Sequence, residues 1–180
     1  IFTKWARLAG GYLLLYGVGD GTTGSSTVRT YRYDLVTGWM ATAGRASSPW
    51  ITRLFAEYGQ GQNLLGTRAL LLGLDRGMRT LEFDGMAGDR MARWSAEQGK
   101  AMPWEVLGMM RMGFAAFYSG GRAWWRDEVV GQSYIRHEAG FGLRFGPTRS
   151  ANSQVARIDL AWDLNGDGSP VLTAVTRGFF

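Results

Sequence analysis

From Tyr134 to Gly146 the side chains alternate in character with a period of two: Ile135, His137, Ala139, Phe141, Leu143 and Phe145 take one parity, Arg136, Glu138, Gly140, Gly142 and Arg144 the other. Successive residues of a strand point to opposite faces of its sheet, so this pattern predicts a strand with one apolar and one charged face. The pattern repeats along the chain. Arg157 and Asp159 oppose Ala156, Ile158, Leu160 and Trp162, and Arg111, Gly113 and Ser119 oppose Met110, Met112, Phe114, Ala116 and Tyr118. Earlier segments set Arg32 and Asp34 against Tyr31, Tyr33 and Leu35, Arg53 and Glu57 against Leu54, Ala56 and Tyr58, and Arg93 and Glu97 against Ala92, Trp94 and Ala96.

Eight strands are expected, at about 4–17, 27–41, 50–59, 89–98, 105–119, 134–146, 153–164 and 170–180. Several are about as long as the 9–11 residues that cross a bilayer at a tilt. The connectors at 42–49, 99–104 and 147–152 are short, and those at 18–26, 60–88 and 120–133 are longer, as where short turns face one compartment and long loops the other. The connector Asn165–Ser169 is short and breaks that alternation. An apolar outer face with a polar interior is the pattern of an antiparallel transmembrane β-barrel. A soluble antiparallel sandwich or barrel with its charges outside is the alternative.

A charge at the lipid midplane costs about 2–4 kcal/mol for Arg or Lys, so the charged faces are expected to line a lumen. An open sheet in lipid would leave edge amides and carbonyls unpaired, so the strands either close on themselves or form part of a larger ring. The chain opens on Ile1 within a strand pattern, without a basic and apolar leader. It is therefore expected to be a fragment, with an export signal upstream.

Composition agrees with this and removes other classes. The 180 residues include Gly 27, Trp 8, Tyr 7 and Phe 9, and no apolar run approaches the roughly 18 residues of a membrane helix. There is no cysteine, so disulfides and thiolate metal sites do not arise. The formal charge is +5, but the arginines fall singly on many strands, which suits ion pairs in a lumen better than a nucleic-acid patch.

Asp163-Leu164-Asn165-Gly166-Asp167-Gly168 matches the first half of a calcium loop, but position twelve would be Ala174, which has no carboxylate; a hairpin turn is the better reading. His137 is the single histidine and falls on the apolar parity, where an interfacial role suits it better than catalysis. Gly17, Gly19, Gly21 and Gly24 lack the lysine and helix of a phosphate-binding loop. No enzyme activity, metal or cofactor is expected.

The segment 60–88 is too long and too specific for a hairpin tip, and a connector of that length inside β-structure is usually functional. Its Arg79 needs a polar partner wherever it is buried. The run Leu72-Gly73-Leu74-Asp75-Arg76-Gly77-Met78-Arg79-Thr80-Leu81 resembles the L-G-G-D-x-G-L-R-G-Y pattern in the lumenal loop of the bacterial surface-antigen superfamily of outer-membrane barrels, which includes BamA-type assembly factors and two-partner secretion transporters. Phe117-Tyr118-Ser119-Gly120-Gly121 resembles that family's F-x-D-x-G segment, and Gly140-Phe141-Gly142-Leu143-Arg144, Arg157-Ile158-Asp159-Leu160-Ala161 and the terminal Phe180 follow in the family's order.

The resemblance covers the chain from about Trp50 onward and implies strands nine to sixteen of a sixteen-stranded barrel, with the loop in the same place relative to the last strand. It implies a protein of the bacterial outer membrane that inserts or translocates β-rich polypeptides, with outer-membrane lipid and a polypeptide client as partners and periplasmic POTRA domains outside this chain. A passive porin-like or structural barrel is the alternative. The implied loop motif is Asp75, Gly77, Met78 and Arg79, and Gly178 and Phe180 are the implied C-terminal strand signal. Two departures stand out: Thr80 and Leu81 replace a glycine and an aromatic, and Ser119 replaces the aspartate that pairs with the loop arginine. Arg79 is accordingly expected to point into the lumen and meet Glu97 or Ser119, with Asp75 and Asp84 as further carboxylates within reach.

Overall fold

The computed structural model describes residues 2–8, 11–23, 29–62, 64, 69–82, 85–106, 108–127, 134–147, 155–166 and 168–177, with side chains described from residue 32 onward except those of Asp75, Val155 and Arg177. Eleven strands form: β1 (Phe2–Leu8), β2 (Gly11–Thr23), β3 (Arg29–Arg45), β4 (Ser48–Gln62), β5 (Leu70–Leu72), β6 (Met86–Gly88), β7 (Arg90–Val106), β8 (Met110–Trp124), β9 (Arg136–Pro147), β10 (Val155–Asp163) and β11 (Pro170–Arg177). Nine of them make one antiparallel sheet in the order β1-β2-β3-β4-β7-β8-β9-β10-β11, and β5 and β6 pair separately. A three-residue 3-10 turn, Leu74–Arg76, is the helical element among the described residues. None of the helical structure there is long and apolar enough to cross a membrane.

The chain is all-β, as the alternation implied, but β2 and β3 run on to Thr23 and Arg45, through much of the connectors expected at 18–26 and 42–49, β8 is displaced to Met110–Trp124, and two further stretches differ more deeply. The stretch expected as one strand at 4–17 is two antiparallel strands, β1 and β2, with Leu8 opposite Gly11, which gives nine sheet strands among the described residues rather than eight. The segment 99–104 is not a turn but part of β7, which continues to Val106 through an irregularity between Ala101 and Glu105. Pro103 lies within that irregularity, where a residue without an N–H costs the ladder least. The sheet is open: β1 and β11 are its two edges and do not pair with each other.

Connections at one end of the sheet are short, at residues 9–10, 46–47 and 107–109, with 148–154 somewhat longer. At the other end lie 24–28, the segment 63–89 that carries β5, the 3-10 turn and β6, then 125–135 and 164–169.

The segment between β4 and β7 folds back over one face of the sheet. Leu70, Leu72 and Met78 from it pack with Met91 of β7 and Ala123 of β8, all buried, with Leu64, Leu81 and Met86 at the margin. Full burial of a side chain of this size is worth about 1.5–3 kcal/mol, so this cluster alone holds the segment firmly at one end. The covered face also carries the charges: Glu57, Arg79, Ser119, Glu138, Asp159 and Thr173 are buried. On the opposite, open face, Leu35, Leu54, Phe114, Tyr118, Phe141, Leu143, Ile158 and Leu172 are exposed. Charged side chains are thus buried on one face of the sheet while large apolar ones are exposed on the other.

Candidate functional site: an arginine-pinned loop over an ionic strand face

The loop motif acts as a directional device. Gly77 has φ 93°, a left-handed value that a side-chain-bearing residue adopts only at a cost, and a Cβ there would also meet Arg93 Nη1 at 3.0 Å. Its N–H closes the 3-10 turn on the Leu74 carbonyl at 3.2 Å, and the Met78 N–H reaches back to the Gly73 carbonyl at 3.1 Å. The chain thereby reverses, with the Met78 side chain directed into the apolar cluster and Arg79 toward the strands. The backbone of Asp75 lies in the 3-10 turn.

Arg79 is almost completely buried and sits at the centre of the covered face. Its Nε donates to Asp159 Oδ2 at 2.6 Å, and its Nη1 donates to Glu138 Oε1 at 3.2 Å and Ser119 Oγ at 3.3 Å. Nη2 lies 3.8 Å from Glu97 Oε2. The guanidinium plane stacks on Phe117, its carbon 3.5 Å from the ring centroid. A planar fork with five donors can serve several acceptors at once, which an ammonium cannot. The structure thus brings Arg79 together with Glu97 and Ser119, and adds Glu138, Asp159 and Phe117.

Glu138 and Asp159 are both 0% exposed, so their charges are tolerated only through their partners. Glu138 Oε2 accepts from the Thr80 N–H at 2.9 Å and the Thr80 hydroxyl at 3.2 Å. Threonine at the motif's glycine position therefore gives the loop one more bond to the sheet. Asp159 Oδ1 accepts from Arg144 Nη1, and Arg157 Nε lies 3.6 Å from Oδ2. Arg144 also reaches Glu97 Oε2 at 2.6 Å, and Arg53 reaches Glu97 Oε1 at 2.5 Å. The result is one continuous alternation of cations and carboxylates across β4, β7, β8, β9 and β10.

Strand register places these groups. Arg53 pairs with Glu97, Ser119 with Glu138, and Gly142 with Asp159. At Gly142 an added Cβ would run into the Asp159 carboxylate and the Ile158 carbonyl. The missing side chain is what leaves Asp159 room to lean toward Arg79.

A second clasp lies nearer the start of the loop. Glu57 accepts from Arg93 Nε at 2.5 Å and Arg76 Nη1 at 3.2 Å, and Arg93 also covers the Phe55 ring at 4.4 Å. At the margin of the charged face, Arg136 pairs with Asp163 at 3.0 Å.

These ion pairs and hydrogen bonds tie the loop to the sheet. Among the described residues no group of three or more metal-ligating side chains is present. His137 lies on the open face, its Nδ1 2.7 Å from the Tyr118 hydroxyl and its ring stacked on Tyr118. Asp163 is engaged by the Asn165 N–H at 2.9 Å within the turn that the Asn-Gly sequence suggests. Gly178, Phe180 and Asp84 lie outside the described residues.

Sequence reasoning missed Glu138 and Asp159 as partners of Arg79, although both stand on the charged parity of their strands. Their level along the strands depends on cross-strand register. The connections 125–135 and 148–154 are too long for turn chemistry to set that register.

The chain matches no protein-family model, and no curated protein is significantly similar to it.

Proposed function

We propose that this protein is part of an outer-membrane β-barrel of the surface-antigen type, which inserts β-rich polypeptides into the outer membrane or passes them across it. The observation that carries the reading is the inverted sheet: Glu138 and Asp159 are 0% exposed while Phe141 is 57% and Leu172 71% exposed. In water such a face would leave a broad surface of large apolar side chains exposed, a feature that marks an interaction or membrane surface. In a bilayer it meets hydrocarbon, and the ionic face turns to an enclosed interior.

Dimensions support the reading. On β8 the open face from Met110 to Gly120 carries Met112, Phe114, Ala116 and Tyr118. Ten residues rise about 34 Å along a strand, or roughly 25 Å along the normal at a tilt near 45°, which matches the apolar band of such barrels. The polar groups on this face are accommodated. Thr52 donates to Gln98 at 2.7 Å, and the Lys100 ammonium lies 4.7 Å from the Trp50 ring, its stem free to extend toward the interface. The free edges of β1 and β11 require further strands in hydrocarbon, so the sheet works as an arc of a closed ring.

Within that ring the loop occupies the lumen and is pinned by Arg79. The assignment to polypeptide assembly or transport, rather than solute passage, rests on the resemblance of the loop motif and of the Phe117 segment that stacks under Arg79. A pinned loop that fills the lumen also disfavours an open pore. The test is depletion of the protein in its native cell, with folded outer-membrane barrels and secreted β-rich proteins quantified. The expected result is loss of one of these classes and no rescue by Arg79→Ala. Unchanged client levels, together with steady solute conductance in planar bilayers, would instead identify a passive barrel.

A further inference from the structure

Covered-face arginines 53, 79, 93, 136, 144 and 157 each have a carboxylate within salt-bridge distance. Among the described side chains Arg90 and Arg122 do not. Both stand on the open face: Met91 and Ala123, their neighbours in sequence, point into the loop cluster, so Arg90 and Arg122 point the other way. Register sets Arg90 opposite Trp124 and Ala92 opposite Arg122, which brings the two guanidinium groups to one end of adjacent strands β7 and β8. Among the described residues neither makes an ion pair, and the Nε of each is shielded from water without a hydrogen-bond partner. Arg122 lies 5.1 Å from the Trp124 ring centroid. Asp89, the nearest carboxylate in sequence, falls on the opposite parity and makes no ion pair with either.

Directly below this pair, toward the middle of the sheet, Trp94 meets the His137 ring edge-on at 5.8 Å, and His137 stacks on Tyr118. Such a belt of amphipathic rings sits at headgroup level in membrane proteins. Two arginines just beyond it face outward, and no described carboxylate pairs with them; in the membrane reading this is the level of lipid phosphates. Arginine forks match phosphate oxygens bidentately, and flanking indoles pack against the sugar or glycerol carbons that carry them.

We propose that Arg90 and Arg122, with Trp94 and Trp124, form a binding site for the phosphate-bearing headgroup of a lipid at the end of the barrel from which the long loop springs. The site rests on the membrane reading given above. Its occupant is a membrane lipid rather than free phosphate, because the arginines lie on the same face as, and continuous with, the apolar surface that would hold the acyl chains. Two paired guanidinium groups fit a phosphomonoester on a glycolipid better than a zwitterionic headgroup, whose own cation would meet them.

The test uses the full-length protein purified in a mild non-ionic detergent and titrated with bisphosphorylated lipid A, with the same glycolipid after enzymatic dephosphorylation, and with inorganic phosphate, bound lipid being counted by native mass spectrometry. The wild type is expected to bind the phosphorylated lipid at least about tenfold more tightly than the dephosphorylated one, equivalent to about 1.4 kcal/mol. The Arg90→Gln/Arg122→Gln protein should lose that preference, whereas Arg111→Gln, at the other end of β8, should keep it. Equal binding by the double variant and the wild type overturns the site while leaving the membrane reading intact. Displacement of the lipid by millimolar inorganic phosphate overturns its assignment to lipid. A protein that stays soluble without detergent and fails to enter vesicles removes both the membrane reading and this site.

Discussion

Replacing Arg79 by alanine removes the one cation shared by Glu138 and Asp159, and the structure allows the cost to be ranked. Breaking a buried ion pair by deleting one partner costs about 3–5 kcal/mol, because the remaining charge is left without compensation. Asp159 keeps Arg144, and Glu138 keeps the Thr80 amide and hydroxyl, so neither carboxylate is fully abandoned. The expected loss therefore sits at the low end, about 3 kcal/mol. Arg79→Lys keeps a charge but cannot span Asp159, Glu138 and Ser119 at once, and should lose about half as much. The loss is expected first as undocking of the loop. In vesicle-embedded protein, protease cleavage within 63–85 should accelerate by roughly a hundredfold for Arg79→Ala if cleavage follows the open population. Arg79→Ala/Glu138→Gln should recover part of the deficit, since the second change removes a stranded charge, giving a coupling within about 0.5–3 kcal/mol. Equal cleavage rates for wild type and Arg79→Ala, or strict additivity in the double variant, would refute the pinning argument.

Three further outcomes follow from the same geometry. Gly142→Ala should destabilise the folded protein by about 1–3 kcal/mol in urea titrations, because its Cβ collides with the Asp159 carboxylate and the Ile158 carbonyl, whereas Gly146→Ala, with open space around it, should be near neutral. Glu57→Gln should loosen the loop by about 1.5 kcal/mol, less than Arg79→Ala, since Arg76 and Arg93 are partly exposed and can turn to water; the same protease assay measures it. Phe141→Arg should lower stability in bilayers by about 2–4 kcal/mol, read from the denaturant midpoint, whereas in a soluble sheet it would be neutral or improve solubility.

The faces of the strands were legible because period-two alternation needs no knowledge of which strand pairs with which. Arg93 against Trp94, or Asp159 against Leu160, already shows the sides. The hairpin β1–β2 was not legible. The chain reverses between Leu8 and Gly11, within the continuous run Leu8-Ala9-Gly10-Gly11-Tyr12, which reads as a single strand. Pro103 suggested a turn because proline lacks a ladder donor, but an irregularity in β7 accommodates it and the strand continues to Val106. In the site, the loop motif identified Arg79 and named two nearby groups, Glu97 and Ser119. The buried carboxylates Glu138 and Asp159 required the register across β8, β9 and β10, which long connections conceal. The short pairing of Leu70–Leu72 with Met86–Gly88 was hidden for a related reason: three-residue strands carry too little periodicity to read.

If the apolar face of the sheet meets hydrocarbon while the ionic face is enclosed, probes on the two faces must report different surroundings. The chain has no cysteine, so a single introduced thiol is a unique probe. Nitroxide labels at Phe141→Cys, Leu143→Cys, Ile158→Cys and Leu172→Cys, compared with Ser95→Cys on the covered face, report collision rates with oxygen and with a water-soluble nickel chelate in reconstituted membranes. High oxygen and low nickel accessibility are expected at the first four positions, and low oxygen accessibility at position 95. Free collision of the nickel chelate with labels at 141, 143, 158 and 172 would contradict it.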